Sequence, residues 1–392
     1  MRKQTVRDVD VDGKRVLVRV DFNVPLDGGR ITDDTRIRAS LPTLTYLLDR
    51  GARLVVVSHL GRPDGKVVEK LRMRPIVERL RELLGRPVLG VEDCIGPAVE
   101  SAVSALKPGD TLVLENVRFH PEEEKNDPEL ARKLAGFADL YVNDAFGTAH
   151  RAHASTEGVA RYLPAVAGLL MEKELDALGG SLENPERPFV AIIGGAKVST
   201  KLAVLRNLQE RVDALLIGGG MANTFFKAKG LEIGKSLVED NLLEEAKAIV
   251  AAAGAKLRLP VDVVVVSEID ANAERRTLSV DQVPPDGRIV DIGPRTLEDF
   301  GAALAPAKTV LWNGPMGIFE IEPFGVGTRG VAELLTKIRG KTVVGGGDSV
   351  AAIEQLGYAD KMYHVSTGGG ASLEFLEGRE LPGVAALRDA TT

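Results

Sequence analysis

Short apolar runs rich in β-branched residues recur along this chain, separated by helix-like stretches. In the first half they fall at 15–20, 54–57, 87–91, 111–114 and 140–142. In the second half they fall at 189–193, 214–217, 261–266, 309–312, 342–344 and 363–365. Near-continuous apolar strands alternating with helices predict parallel sheets covered on both faces. Eleven strands in one open sheet would be unusual, so two sheets of five or six, one per half, are expected. The join is expected within 168–187, where LLMEKELDALGG has the spacing of an amphipathic helix and SLENPERP that of a polar connection.

A chain of 392 residues is too long for one ordinary core, which agrees with two bodies. It is 44% hydrophobic and 27% charged, an ordinary globular balance. Glycine is in excess, 42 of 392 residues or roughly 11% against a usual ~7%. That excess sits in loops and includes three triplets: Gly218-Gly219-Gly220, Gly345-Gly346-Gly347 and Gly368-Gly369-Gly370, each directly after a predicted strand. A turn without side chains lets backbone N–H groups approach a phosphate closely.

The net charge of −6 means that any anion site must concentrate positive charge locally. With aromatics at 4% and no basic patch among them, nucleic acid is not expected as a partner. Cys94, the only cysteine, excludes an intrachain disulfide and fits a reducing compartment. The opening MRKQTVRDVDVDGK has no apolar signal region, and no run approaches the ~18 residues of a membrane span. A cytoplasmic protein without a membrane partner is expected.

The first half gathers polar residues at its strand ends. The strand at 15–20 leads into Asp21 and Asn23, that at 54–57 into His59 and Arg62, that at 111–114 into Arg118, and that at 140–142 towards Arg151. In open α/β sheets ligands bind outside the carboxyl ends of the strands. Thr32 or Asp33 is the expected cap of a helix ending at Arg50, which puts Arg36 in its first turns. A cation there opposes the helix dipole by roughly 0.3–1 kcal/mol unless an anion neutralises it. Any one of these arginines could pair with a surface carboxylate, but a set at strand ends points to a phosphate or carboxylate ligand. Asp21 and Asn23 also suit turns, and neither His59 nor His150 is assigned a proton-transfer role.

The second half uses backbone instead. FVAIIGGAKVSTKLAVLRNL predicts a strand, a Gly194-Gly195 turn and a helix opening with Lys197 and Lys201 on one face. These lysines repel each other by ~0.2–0.5 kcal/mol, a cost that a bound polyphosphate would reverse. A solvated lysine face is the alternative. Gly345-Gly346-Gly347-Asp348-Ser349 repeats the plan before another helix, whose free N–H groups and dipole form an anion site. Asp348 is either an N-cap or a ligand for Mg²⁺, which takes one or two protein carboxylates and completes its shell with water and phosphate. The segment from Asn313 to Glu320 follows a further strand, and Glu320 is suited to ribose hydroxyls. Gly230-Leu231-Glu232-Ile233-Gly234-Lys235-Ser236 imitates a phosphate-binding P-loop but has three residues between its glycines where four are required.

The motifs VRVDFNVPL, SHLGRP, LENVRF, NDAFGTAHRAHAST, IIGGAKVSTK, IGGGMANTF, WNGPMGIFE, GGGDS and STGGGASLEFLEG, in this order, resemble those of the phosphoglycerate kinases over essentially the whole chain. The resemblance implies two Rossmann-like α/β domains joined by an interdomain helix: 1–168, a linker at 169–187, 188–378, and a tail at 379–392 returning to the first domain. It implies that Asp21, Asn23, Arg36, His59, Arg62, Arg118 and Arg151 bind 3-phosphoglycerate or 1,3-bisphosphoglycerate. It implies that Lys201, Gly293, Glu320, Gly346, Gly347, Asp348 and Ser349 bind ADP or ATP, with Asp348 on Mg²⁺; Asn313 is counted with them. Arg36, Lys197, Gly346 and Gly347 are the expected groups around the transferring phosphoryl group, in an enzyme expected to be a monomer.

Three rivals remain at this point. A nicotinamide-dependent dehydrogenase lacks its GxGxxG loop here. A non-catalytic nucleotide-binding module would not need the arginines. A kinase for another carboxylate is separated only by the number of arginines, enough for a phosphate and a carboxylate together.

Overall fold

In the computed structural model, which describes residues 2–390, the apolar runs form two six-stranded parallel sheets. The chain divides into two compact units, Met1–Asp176 with Glu380–Thr392, and Ala177–Arg379.

In the first unit the strands lie in the order Val88–Gly90, Thr111–Val113, Arg53–Val57, Arg15–Arg19, Leu140–Asn143, Ala165–Ala167. The central strand Arg15–Arg19 pairs in parallel with Arg53–Val57 on one side and Leu140–Asn143 on the other. Central strands are buried along nearly their whole length, as two-sided cover demands. The helix Thr35–Leu48 contributes Ile37, Leu44, Leu47 and Leu48 to that cover, spaced three and four apart on one face. The last segment belongs here too: Gly383 N–H donates to Ala149 O (2.8 Å), Gln4 N–H to Arg388 O (2.8 Å), and Lys3 Nζ pairs with Asp389 (2.7 Å).

In the second unit the order is Leu257–Arg258, Ala214–Ile217, Phe189–Ile193, Thr309–Asn313, Lys341–Gly345, His364–Val365. Numbered along the chain this is 3-2-1-4-5-6, the doubly wound dinucleotide-fold order, whose ligand crevice opens beside the first and fourth strands. Here those are Phe189–Ile193 and Thr309–Asn313, paired in register from Thr309 with Phe189 to Asn313 with Ile193.

The apolar run at 261–266 departs from the expected sheet. Asp262–Val266 sits in a separate antiparallel sheet between Arg276–Ser279 and Arg288–Ile292. The connection over 267–275 to Arg276–Ser279 is too short to carry a crossover helix, so that neighbour runs antiparallel. The helix holding Arg36 also starts later than expected, with Asp34 at the N-cap position and Asp33 Oδ1 accepting from Thr35 N–H (2.8 Å).

The chain first crosses between the units inside one helical run: Leu169–Glu174, a π-helical turn Leu175–Gly179, then Gly180–Glu183. Its start is tied down by Asp144, whose Oδ1 accepts from Leu170 N–H (2.9 Å) and Met171 N–H (3.3 Å). No helix of the described residues is long and apolar enough to cross a membrane.

Candidate functional site

In the first unit, loops from three strand ends are laced together by side-chain amides and backbone. Asn23 Oδ1 accepts from Gly61 N–H (2.8 Å), and Asn116 Oδ1 accepts from Leu60 and Arg118 N–H (both 3.2 Å). Arg118 Nη1 donates to Gly61 O (3.1 Å). Arg36 Nη1 donates to Asp21 Oδ2 and to Asn23 O, each at 3.1 Å. Those contacts hold Arg36 from one end and leave its other N–H groups available.

Positive charge outweighs negative here. Arg118 is 5% exposed, and its nearest carboxylate, on Glu124, is 3.6 Å from Nε. Burial, with Arg19 and Arg151 close by, makes its charge less favourable than usual. His59, 3% exposed, is pushed far below the ordinary imidazole range by burial and then by Arg19, Arg118, Arg36 and His153. His153 is pushed down to about 4 by burial and by Arg118, Arg19 and Arg151. Two neutral imidazoles among crowded guanidinium groups make a setting for an anion. Arg151 Nε donates to His150 Nε2 (3.2 Å), and Arg62 is exposed on the loop that Asn23 and Arg118 hold.

In the second unit the strand-end turns enclose a cavity of about 550 Å³, with Gly195, Gly219, Asn223, Met316, Glu320 and Asp348 among its walls. Gly219 has φ +72°, and a Cβ there would lie 2.6 Å from Gly195 O and 2.8 Å from Pro315 O. Only bare backbone fits where these three turns meet. Beside it, Gly346 has φ +88° and caps the helix Gly347–Gln355. Ser349 Oγ accepts from Gly314 N–H (2.5 Å), and Asn313 Oδ1 accepts from Lys201 Nζ. Asn313 Nδ2, fully buried, has no hydrogen-bond partner among the described residues. Burial lowers the Lys201 ammonium, while Asp348 and Glu377 hold it up.

Across residues 6–379 the chain matches the model of the phosphoglycerate kinase family. It is 60% identical to a phosphoglycerate kinase of Moorella thermoacetica over 392 residues, covering 99% of this chain and all of that one. It is 61% identical to a phosphoglycerate kinase of Chloroflexus aurantiacus over 399 residues, covering both chains fully. The chain belongs to the phosphoglycerate kinase family. Solved phosphoglycerate kinases share its fold: that of Coxiella burnetii superposes with a TM-score of 0.91 at 42% identity, and that of Pyrococcus horikoshii with 0.84 at 36%, each over 98% of both chains.

Phosphoglycerate kinases are phosphotransferases, and the residues expected to serve that chemistry fall into two sets, one in each unit. Asp21, Asn23, Arg36 and Arg118 are interlinked as described, His59 lies within the electrostatic reach of Arg118 and Arg36, and Arg62 is linked to them only through its loop. Glu320 and Asp348 line the cavity, and Lys201, Asn313, Gly346 and Ser349 meet at its strand ends. Gly347 opens the helix behind them.

Two expectations about placement change. Lys197 does not share a helix face with Lys201: the helix begins at Leu202, Lys201 occupies its N-cap position, and Lys197 lies exposed in the preceding turn. Thr200 Oγ1 donates back to Lys197 O (2.9 Å) and closes that turn. Gly293 is not in the cavity wall; it caps the helix Pro294–Leu304, packed where a Cβ would strike the Asp262 carboxylate at 2.3–2.6 Å. The neighbouring Asp291 does line the cavity, and burial pushes its carboxyl up to about 7. It accepts from Gly327 N–H (2.7 Å) and Ile292 N–H (2.8 Å), tying the strand Arg288–Ile292 to the helix Val326–Thr336. A lone acid inside the apolar run RIVDI was the available signal for it.

Proposed function

We propose that this chain transfers a phosphoryl group reversibly between the acyl phosphate of 1,3-bisphosphoglycerate and ADP, giving 3-phosphoglycerate and MgATP. The observation that carries this reading is the surplus of guanidinium groups in the first unit, in a chain whose second unit holds a glycine-walled cavity. Arg36, Arg62, Arg118 and Arg151, with Asp21, Asn23 and His59, hold the phosphorylated acid. Lys201, Asn313, Glu320 and the Gly346, Gly347, Asp348, Ser349 loop hold the nucleotide, with Gly293 supporting it from behind.

The nucleophile in either direction, a carboxylate or a phosphate oxygen, is ionised at pH 7. No general base is needed, in keeping with imidazoles held neutral by burial rather than poised near pH 7. Catalysis reduces to alignment and neutralisation of charge on the transferring group. Arg36 contributes from one unit; Lys197 and the N–H groups near Gly346 and Gly347 contribute from the other. The two units therefore close during turnover.

Asp348 fits Mg²⁺: its carboxylate is exposed on the cavity wall, makes no hydrogen bond or ion pair within the described residues, and supplies the hard oxygen that this ion prefers. When bound, the ion would neutralise charge on the phosphates.

The test is incubation with 3-phosphoglycerate and MgATP, with the acyl phosphate trapped as its hydroxamate. Trapped product that disappears on chelation by EDTA is expected. Phosphorylation of unphosphorylated glycerate or acetate, with 3-phosphoglycerate inert, would replace this reading by a kinase for another carboxylate.

A further inference from the structure

Behind His59 lies a group that the sequence motifs did not single out. Arg19 ends the central strand of the first unit and is 0% exposed. A guanidinium without water must place its N–H donors on protein acceptors. Arg19 Nε donates to Ser155 Oγ (2.8 Å), Nη1 donates to Val20 O, and Nη2 lies 3.2 Å from His59 Nδ1. Ser155 Oγ in turn lies 2.5 Å from Glu123 Oε1, and Ser155 N–H donates to Glu123 Oε2 (2.9 Å). Glu123 is also fully buried.

The directions of the contacts that Arg19 makes are forced. A guanidinium has only donors and does not lose its proton in a protein. Ser155 Oγ therefore accepts from Arg19 and spends its single proton on Glu123. His59 Nδ1 likewise faces a donor, so it must carry a lone pair. A neutral imidazole with Nδ1 bare carries its proton on Nε2.

We propose that Arg19 is a positioning residue that locks His59 in the Nε2–H tautomer, so that the ring offers an anionic substrate an uncharged donor. The proposal rests on the reading above that His59 belongs to the substrate set. The opposite tautomer would turn a lone pair towards the anion and an N–H towards Arg19, and both contacts would be lost. Glu123 balances the charge of Arg19 through Ser155, so this pair leaves the surplus on Arg36, Arg62, Arg118 and Arg151 for the ligand. Arg19 is enclosed and acts only through His59.

The experiment is a long-range ¹H–¹⁵N correlation spectrum of the ligand-free protein labelled in its five histidines, with His59 assigned by its loss in His59→Gln. The expected pattern for His59 is a single tautomer protonated at Nε2. In Arg19→Met the signals should move to a mixture of tautomers. The KM for 3-phosphoglycerate should rise about tenfold there, a ~1.4 kcal/mol effect, with the KM for nucleotide unchanged. Arg19→Met with Glu123→Gln removes both buried charges and supplies the same comparison if the single variant does not fold. An Nδ1–H tautomer in the wild-type protein overturns the proposal, and so does a pure Nε2–H tautomer that survives loss of Arg19. An Nδ1–H signal in the wild-type spectrum overturns the proposal whether or not either variant folds. That spectrum needs no turnover, so a failed phosphotransfer assay and a failed tautomer lock are separate results.

Discussion

Arg36 occupies the first turn of its helix, where a cation is electrostatically misplaced, and is held there by Asp21 and the carbonyl of Asn23. Its remaining donors serve the ligand in the proposed reaction, as does the exposed ammonium of Lys197. Removing one preorganised group from a transferring charge typically lowers kcat by ~10²–10³. For Arg36→Ala and for Lys197→Ala we expect a loss of that order in steady-state turnover, with nucleotide affinity by calorimetry little changed; near-normal kcat removes the residue from the mechanism. At Gly346 the constraint is steric. A Cβ would lie 2.9 Å from Asn313 Nδ2, on a backbone whose left-handed φ costs an L-residue roughly 1–2 kcal/mol. Gly346→Ala should therefore lower Tm and weaken nucleotide binding together, and a variant with both unchanged contradicts the packing described. Residues such as these were legible because a charge or a glycine at a strand end is conspicuous in sequence. Arg19 and Asp291 were not. Each is one polar letter in an apolar run, and the partners that give it meaning lie far off in sequence, as Ser155 does 136 positions from Arg19.

Among elements, the helical run that begins at Leu169 depends on a buried carboxyl. Burial pushes Asp144 up to about 7, against the lowering effect of hydrogen bonds that include Met171 and Leu170 N–H. In an unfolded chain the same group titrates near ~3.9. Between those values the native protein keeps a proton that the unfolded chain has released. Asp144 thus favours folding fully below pH ~4, and that contribution is lost as pH rises through about 7, by up to roughly 4 kcal/mol. Asp144→Asn keeps an acceptor for the helix N–H groups but cannot titrate. Urea unfolding at pH 5 and pH 8 should show wild-type stability falling relative to this variant at the higher pH, and parallel profiles contradict the assignment. The long parallel strands were readable because their apolar runs are continuous. Ala165–Ala167 and Leu257–Arg258 were not, being three and two residues long. The run at 261–266 was readable as a strand but not as part of a third sheet, because a local pattern names no partner.

For the whole molecule, the six-stranded sheets and the division into two units follow from the alternation of strand and helix, and the matched family spans residues 6–379. The two sets of residues proposed to bind the ligands fall one to each unit, and the proposed closure is one that neither ligand alone completes. Metal dependence belongs at this scale too: EDTA should abolish turnover while leaving binding of 3-phosphoglycerate intact, since Asp348 lies in the second unit. Loss of both together would assign the ion a structural role. The most direct measurement is small-angle scattering of the protein alone, with 3-phosphoglycerate, with MgADP, and with both. The account predicts a smaller radius of gyration only when both ligands are bound; identical dimensions in all four states would contradict it.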